Sequence, residues 1–257
     1  MKSPADPRIV FLHVPKTGGT SLRRLFELNV PAEARHMPGP GAVTGPIQES
    51  VAGFVRDLRQ LPAERQAALR LVGGHLFFGV HEHLPGSWSY VTVLREPLER
   101  FVSFYSYVRR QPEHRLHALA ASCGLEEFAE RRRVHDNTAT RFISGLGFAP
   151  GPCPASALDA ALANIEQHFL LVGVTERLAE FASALCGTLG WVEQPLPREN
   201  VSPLLSRFRR VSTGARAVIE STHRLDTELY RHARSLWRDQ GWTGRLRRRL
   251  GQQLQGW

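Results

Sequence analysis

The stretch from Ile9 to Leu25, IVFLHVPKTGGTSLRRL, leaves this chain few ways to fold. Ile9, Val10, Phe11 and Leu12 form an apolar, β-branched run that reads as a buried strand, and the run stops at Pro15 and the Gly18-Gly19 pair. Thr20 and Ser21 then open an amphipathic segment carrying Leu22, Leu25 and Phe26, which reads as a helix. A strand, a Gly-rich loop and a helix N-terminus in this order collect an anion. Glycine lets the backbone curl around a phosphate, and unpaired N–H groups with the positive helix end point at it. The loop Pro15, Lys16, Thr17, Gly18, Gly19, Thr20, Ser21 is therefore expected to cradle a phosphate-like group.

Lys16 carries more information than one residue normally would. Of the 33 basic residues 31 are Arg, and the two Lys are Lys2 and Lys16. A loop that keeps a compact ammonium against such a bias uses a property the planar guanidinium lacks. The order of residues is not that of a Walker A loop, whose Lys follows its last Gly. Here Lys16 precedes Gly18-Gly19, which argues against an ordinary ATPase or GTPase.

A second strand-to-helix unit occupies residues 90–110, YVTVLREPLERFVSFYSYVRR. Tyr90 to Leu94 reads as a strand, Pro97 suits the first turn of a helix, and Leu98, Phe101, Val102, Tyr105 and Val108 recur at helical spacing. Arg95 thus falls at the carboxyl end of a strand, where open parallel sheets bind ligands, and Ser103 falls two turns along the next helix. An Arg there can grip a phosphate with two parallel N–H bonds, and a Ser hydroxyl can add another donor.

Together these segments resemble the nucleotide-binding elements of sulfotransferases that use 3′-phosphoadenosine 5′-phosphosulfate (PAPS). The resemblance is greatest to the carbohydrate branch that includes heparan sulfate 2-O-sulfotransferase. The family's 5′-phosphosulfate loop resembles His13 to Ser21, and its 3′-phosphate element, an Arg followed eight residues later by a Ser, matches Arg95 and Ser103. Weaker similarity runs through residues 136–145 and 172–177, so the resemblance spans roughly residues 8–240. It implies that Lys16 and the loop amides hold the phosphosulfate and that Arg95 and Ser103 hold the 3′-phosphate. It also implies PAPS as donor, 3′-phosphoadenosine 5′-phosphate (PAP) as product, a carbohydrate or glycoconjugate hydroxyl as acceptor, and no required metal. Arg198 to Ser202 resembles the late loop that closes on the nucleotide, making Asn200 and Ser202 further candidates.

Sulfuryl transfer to a hydroxyl needs a general base. His75 follows an apolar run and the Gly73-Gly74 pair, at the strand end expected to share an edge with Lys16 and Arg95. The resembling branch carries a His-x-His pair here with its second His as base. His75 occupies the second position, and Gly73 stands at the first. Glu96 and His13 are the fallback bases. His81 and His83 lie close to His75, but the spacing offers too few further ligands for a closed metal site, and both are expected at the surface or in an acceptor groove.

The expected fold is α/β: three layers around a mostly parallel sheet with a P-loop-like nucleotide-binding core. Strands are expected at 8–13, 69–73, 89–94 and 169–173. Helices are expected at 20–28, 47–60, 98–110, 125–133, 136–144, 155–167, 176–188 and 213–239. Residues 31–46, rich in Pro and Gly, read as a loop and candidate acceptor lid. With 257 residues and 42% hydrophobic content, one domain over 1–240 is expected, followed by a basic tail at 241–257.

A polar start without a leader, no apolar run of membrane-spanning length and three scattered Cys suggest a cytoplasmic enzyme. The formal charge of +9 invites a nucleic-acid reading. No recognition-helix, zinc-finger or RNA-binding signature accompanies it, and an anionic donor accounts for it equally well. The tail pattern fits a short amphipathic helix touching a membrane surface or partner, as well as a frayed end. Oligomeric state is not legible. A competing class is a P-loop-like kinase or a non-catalytic nucleotide-binding module. A kinase should show a strand ending in Asp to hold Mg²⁺, whereas the strand that follows the loop ends in Arg95.

Overall fold

A computed structural model describes residues 7–38, 46–131, 136–196 and 211–238. Its centre is a five-stranded parallel sheet: β1 (Ile9–Leu12), β2 (Arg35–His36), β3 (Leu71–Gly74), β4 (Ser89–Leu94) and β5 (Phe169–Val174), ordered β2-β3-β1-β4-β5. Every residue of β1, β4 and β5 is buried. Because successive side chains point to opposite faces, unbroken burial means both faces are covered, and the continuous apolar runs follow from that. The expected three-layer parallel architecture is what forms.

The helices are α1 (Gly19–Asn29), α2 (Ile47–Gln60), α3 (Ala63–Ala68), α4 (Pro97–Arg109), α5 (His117–Ser122), α6 (Leu125–Arg131), α7 (Thr138–Ser144), α8 (Ala155–His168), α9 (Leu178–Leu189), α10 (Thr213–Thr222) and α11 (Arg224–Arg238). The structure departs from the sequence expectation in three places. The stretch expected as loop contains the edge strand β2, whose two residues pair with Leu71 and Val72; no local pattern announces so short a strand. The short α3 and α5 lie in stretches left without a helix expectation. The helix expected over 213–239 is two, broken at the buried His223. Asn137, far away in sequence, accepts hydrogen bonds from Leu225 N (2.9 Å) and Asp226 N (3.2 Å) and so caps α11 from outside.

The chain leaves β1 toward β2 and β3, then crosses to β4 and β5 on the other side. The carboxyl ends of β1 and β4 therefore flank the crevice where the connections diverge, the usual ligand position in an open α/β sheet. One face of α4 packs into a second apolar cluster with α5, α6 and α10, through Phe101, Tyr105, Phe128 and Ile219. This leaves another face of α4, carrying Ser103 and Tyr107, beside that crevice, with Arg110 at its C-cap continuing the helical spacing.

The motif at 136–142 is a structural knot. Asp136 and Arg141 form a buried ion pair at 2.8 Å, and the same guanidinium donates to the carbonyls of Gly147, Ala149 and Gly151. Asp226 accepts from Ala139 N, Thr140 N and Thr140 Oγ1 and lies 3.8 Å from buried Arg100. Arg141→Met is expected to cost about 3–5 kcal/mol, because it leaves the buried Asp136 carboxylate without its cation and takes a donor from the Gly147, Ala149 and Gly151 carbonyls. Urea unfolding should read this loss, while nucleotide affinity of the folded fraction stays unchanged.

Candidate active site

The loop after β1 is built around two left-handed residues. Gly18 (φ 85) caps α1 without a side-chain hydrogen bond, so the N–H groups of Gly19 and Thr20 are presented at the loop, while Ser21 N donates to Gly18 O (3.2 Å). Lys16 (φ 71) also adopts the left-handed region, which a side chain enters only at a cost in strain. Thr17 is buried and donates to Val14 O at 2.8 Å, which locks the loop from inside and turns this hydroxyl away from a ligand. Thr20 is exposed and Ser21 buried.

Lys16 leans onto α4, its Nζ 4.1 Å from the centre of the Tyr107 ring. Burial, then Arg110 and Arg95, lower its pKa to about 8. Lys16 thus feels the repulsion of two further cations, Arg110 and Arg95, which an anion would relieve.

Arg95 emerges from the end of β4, where Thr175 Oγ1 donates to Leu94 O (3.0 Å) and ties β5 to the strand end. Its side chain is only 13% exposed, yet its buried Nε has no hydrogen-bond partner among the described residues. The ion pair to Glu99 is long (3.4 Å), and Glu99 is mostly in water, so it neutralises Arg95 weakly. A buried guanidinium with an unused donor fits a phosphate oxygen. Glu96 is not its partner: that carboxylate accepts from Glu99 N at 2.8 Å and caps α4, which makes Glu96 the poorer fallback base. Arg95→Ala is expected to weaken binding of PAP roughly ten- to hundredfold, the loss of one charge-assisted contact, with Ser103→Ala smaller. Calorimetry with adenosine 5′-phosphate as control reads it, since the nucleotide lacking the 3′-phosphate should lose little.

His75 stands where expected, just beyond β3 on the same sheet edge. Its Nδ1 lies 2.8 Å from His13 O. A carbonyl only accepts, so Nδ1 carries the proton, and neutral His75 presents the lone pair of Nε2. Burial lowers its pKa below 6.5, Lys16 lowers it further, and the bond to His13 opposes both. The ring is therefore a neutral acceptor at physiological pH. A side chain at the first position of that branch's His pair would be crowded here: a Cβ on Gly73 would sit 3.1 Å from Phe11 Cβ and 3.2 Å from Met37 Cε, so these neighbours would have to give way.

Other expected residues go elsewhere. His81 is half-buried against Phe78, Tyr90 and His168, with Nδ1 2.8 Å from Tyr90 Oη, toward the opposite end of β4 from Arg95. Among the described residues no cluster of His, Cys, Asp or Glu could hold a metal ion. Asn200 and Ser202 lie outside the described residues, as does the tail at 241–257. Of the candidate lid, Met37 and Pro38 pack over Gly73 and Gly74, and Arg23 donates to Pro38 O. Tyr107 and Arg110 escaped the sequence reading, although they follow Ser103 by one and two helical turns.

A family model described as galactose-3-O-sulfotransferase matches residues 1–254. The heparin sulfate O-sulfotransferase of Drosophila melanogaster is 25% identical over 207 residues, 74% of this chain and 56% of that protein. The chain thus spans about half the length of that curated relative. The solved structure of mouse sulfotransferase SULT7A1 complexed with PAP aligns with a TM-score of 0.44 and 15% identity, covering 84% of this chain and 64% of that one.

Proposed function

This chain belongs to the galactose-3-O-sulfotransferase family, and from that premise we propose that it transfers a sulfuryl group from PAPS to a carbohydrate hydroxyl. The observation that carries the reading is the meeting of Lys16, the open N-terminus of α1, the unpartnered Arg95 Nε and the neutral His75 along one sheet edge. PAPS, when bound, supplies the sulfuryl group and an anionic leaving group. Arg95 and Ser103 hold the 3′-phosphate. Lys16 and the N–H groups of α1 stabilise charge as it grows on the leaving oxygen, already oriented before the reaction. His75 Nε2 takes the acceptor hydroxyl proton, and its Nδ1–H stays on His13 O, which favours the imidazolium formed.

The family description and the relative's name both point to a sugar, so terminal galactosides and heparan-type chains are the acceptors to try first. A cytoplasmic location is proposed from the sequence pattern alone. The test has two parts. PAP should raise the melting temperature more than ATP with Mg²⁺, and labelled sulfate should pass from PAPS to one of the glycan pools. A larger shift with ATP and Mg²⁺ and no transfer would favour the kinase-like reading instead.

A further inference from the structure

His13 directly follows β1, and its ring is wedged between two working parts of the site. On one side it stacks on His75, with centroids 4.4 Å apart and planes at 28°. On the other it fills the space before Gly19, where an added Cβ would fall 2.0 Å from His13 Nε2. Phe11 backs it, stacked at 5.3 Å and 12°. Gly19 is thus glycine for a reason beyond phosphate binding: the ring needs the room.

We propose that His13 is a positioning residue that sets the spacing between the donor loop and the general base, its ring holding His75 in one orientation and keeping water from it. This rests on the reading of His75 as base. The ring acts by shape and not as a proton relay. Burial, His75, Lys16 from the loop and Arg23 from α1 all hold His13 well below its ordinary pKa, so it stays neutral. Arg23 is itself paired with Glu27 at 2.7 Å. Of the two cations, Lys16 also acts on His75, again favouring the neutral ring.

The test reads His75 without turnover. Nitrogen-15 correlation spectra of its imidazole are recorded against pH for the wild type, His13→Phe and His13→Ala, with and without PAP. The wild type should show one tautomer, Nδ1–H, titrating below 6.5. His13→Phe keeps a ring between Gly19 and His75 and should preserve both features. His13→Ala admits water, so the His75 midpoint should rise toward 6.5 and the second tautomer should appear. In turnover, His13→Ala should lower kcat about 10- to 100-fold, the cost of slight misplacement, with donor affinity nearly unchanged.

A Phe variant that resembles the Ala variant would overturn the proposal, because the imidazole itself would then be needed. An unchanged His75 titration in His13→Ala would overturn it equally. If His13→Ala does not fold, the Phe variant still decides, since only a wild-type-like titration is compatible with a role of shape. The base assignment fails separately: His75→Ala with full turnover removes it, while the spectra continue to report the spacing.

Discussion

Lys16→Ala is expected to fold normally and to lose turnover by about 10²–10³-fold, the effect of removing one preorganised charge from a developing oxyanion. The fold should survive because Thr17, not Lys16, locks the loop, and because the left-handed backbone at Lys16 is held by its neighbours. Lys16→Arg should also be impaired. The site packs the ammonium against Tyr107 with Arg95 and Arg110 nearby, and a broad guanidinium brings a larger fork to the same point.

The pH profile separates charge from shape. With a pKa of about 8 in the free enzyme, Lys16 loses its proton as pH rises through 8, so kcat/KM should fall there. A bound anion favours the ammonium, so the falling limb of kcat should lie at higher pH. Lys16→Arg should abolish this alkaline limb, because the guanidinium stays charged. A Lys16→Ala enzyme with near-normal turnover would remove the residue from the mechanism.

His75→Ala is the second large effect, with a loss in kcat of at least about 10²-fold and little change in PAP affinity. Its sign with pH is opposite. His75 works as the neutral ring, and burial lowers its pKa, so activity should hold down to pH 6.5 and fall only below it, as the ring becomes protonated. That acidic limb should vanish in His75→Ala, leaving a low and flat rate. An acidic limb that persists together with most of kcat would place the base elsewhere. Glu96 would then be a poor successor, since its carboxylate is already used as a helix cap.

The positions of both residues stood out in the sequence for the same reason: each lies a few residues beyond a strand. β1, β3 and β4 are apolar runs ended by Gly or Pro, and a parallel sheet brings such strand ends to one edge. Arg95 and Ser103 were legible through the helix that Pro97 starts. His13 was visible only as a fallback base. Its place between Gly19 and His75 depends on adjacent strands, and no one-dimensional spacing encodes which side chains meet across β1 and β3. Likewise the sequence does not show that Glu96 is a helix cap and not a base. The turn into α4 instead points that carboxylate at the helix N-terminus and leaves Arg95 to Glu99.

By itself the sequence indicated four of the five strands, the Gly-rich loop, most of the long helices and the proposed class of chemistry, because these depend on residues close together in the chain. Backbone conformation, capping by Pro and Gly, and apolar periodicity act over a few residues. Tertiary structure alone decided the remainder. It made an edge strand of Arg35 and His36, because Leu71 and Val72 offer a pairing edge there. It split the last helix at His223, because Asn137 supplies the cap from 88 residues away. It left Arg95 with an unused donor and Lys16 with a lowered pKa, because burial and neighbouring cations act through space. These are effects of desolvation and of contacts between distant segments, and they exist only once the chain has closed around them.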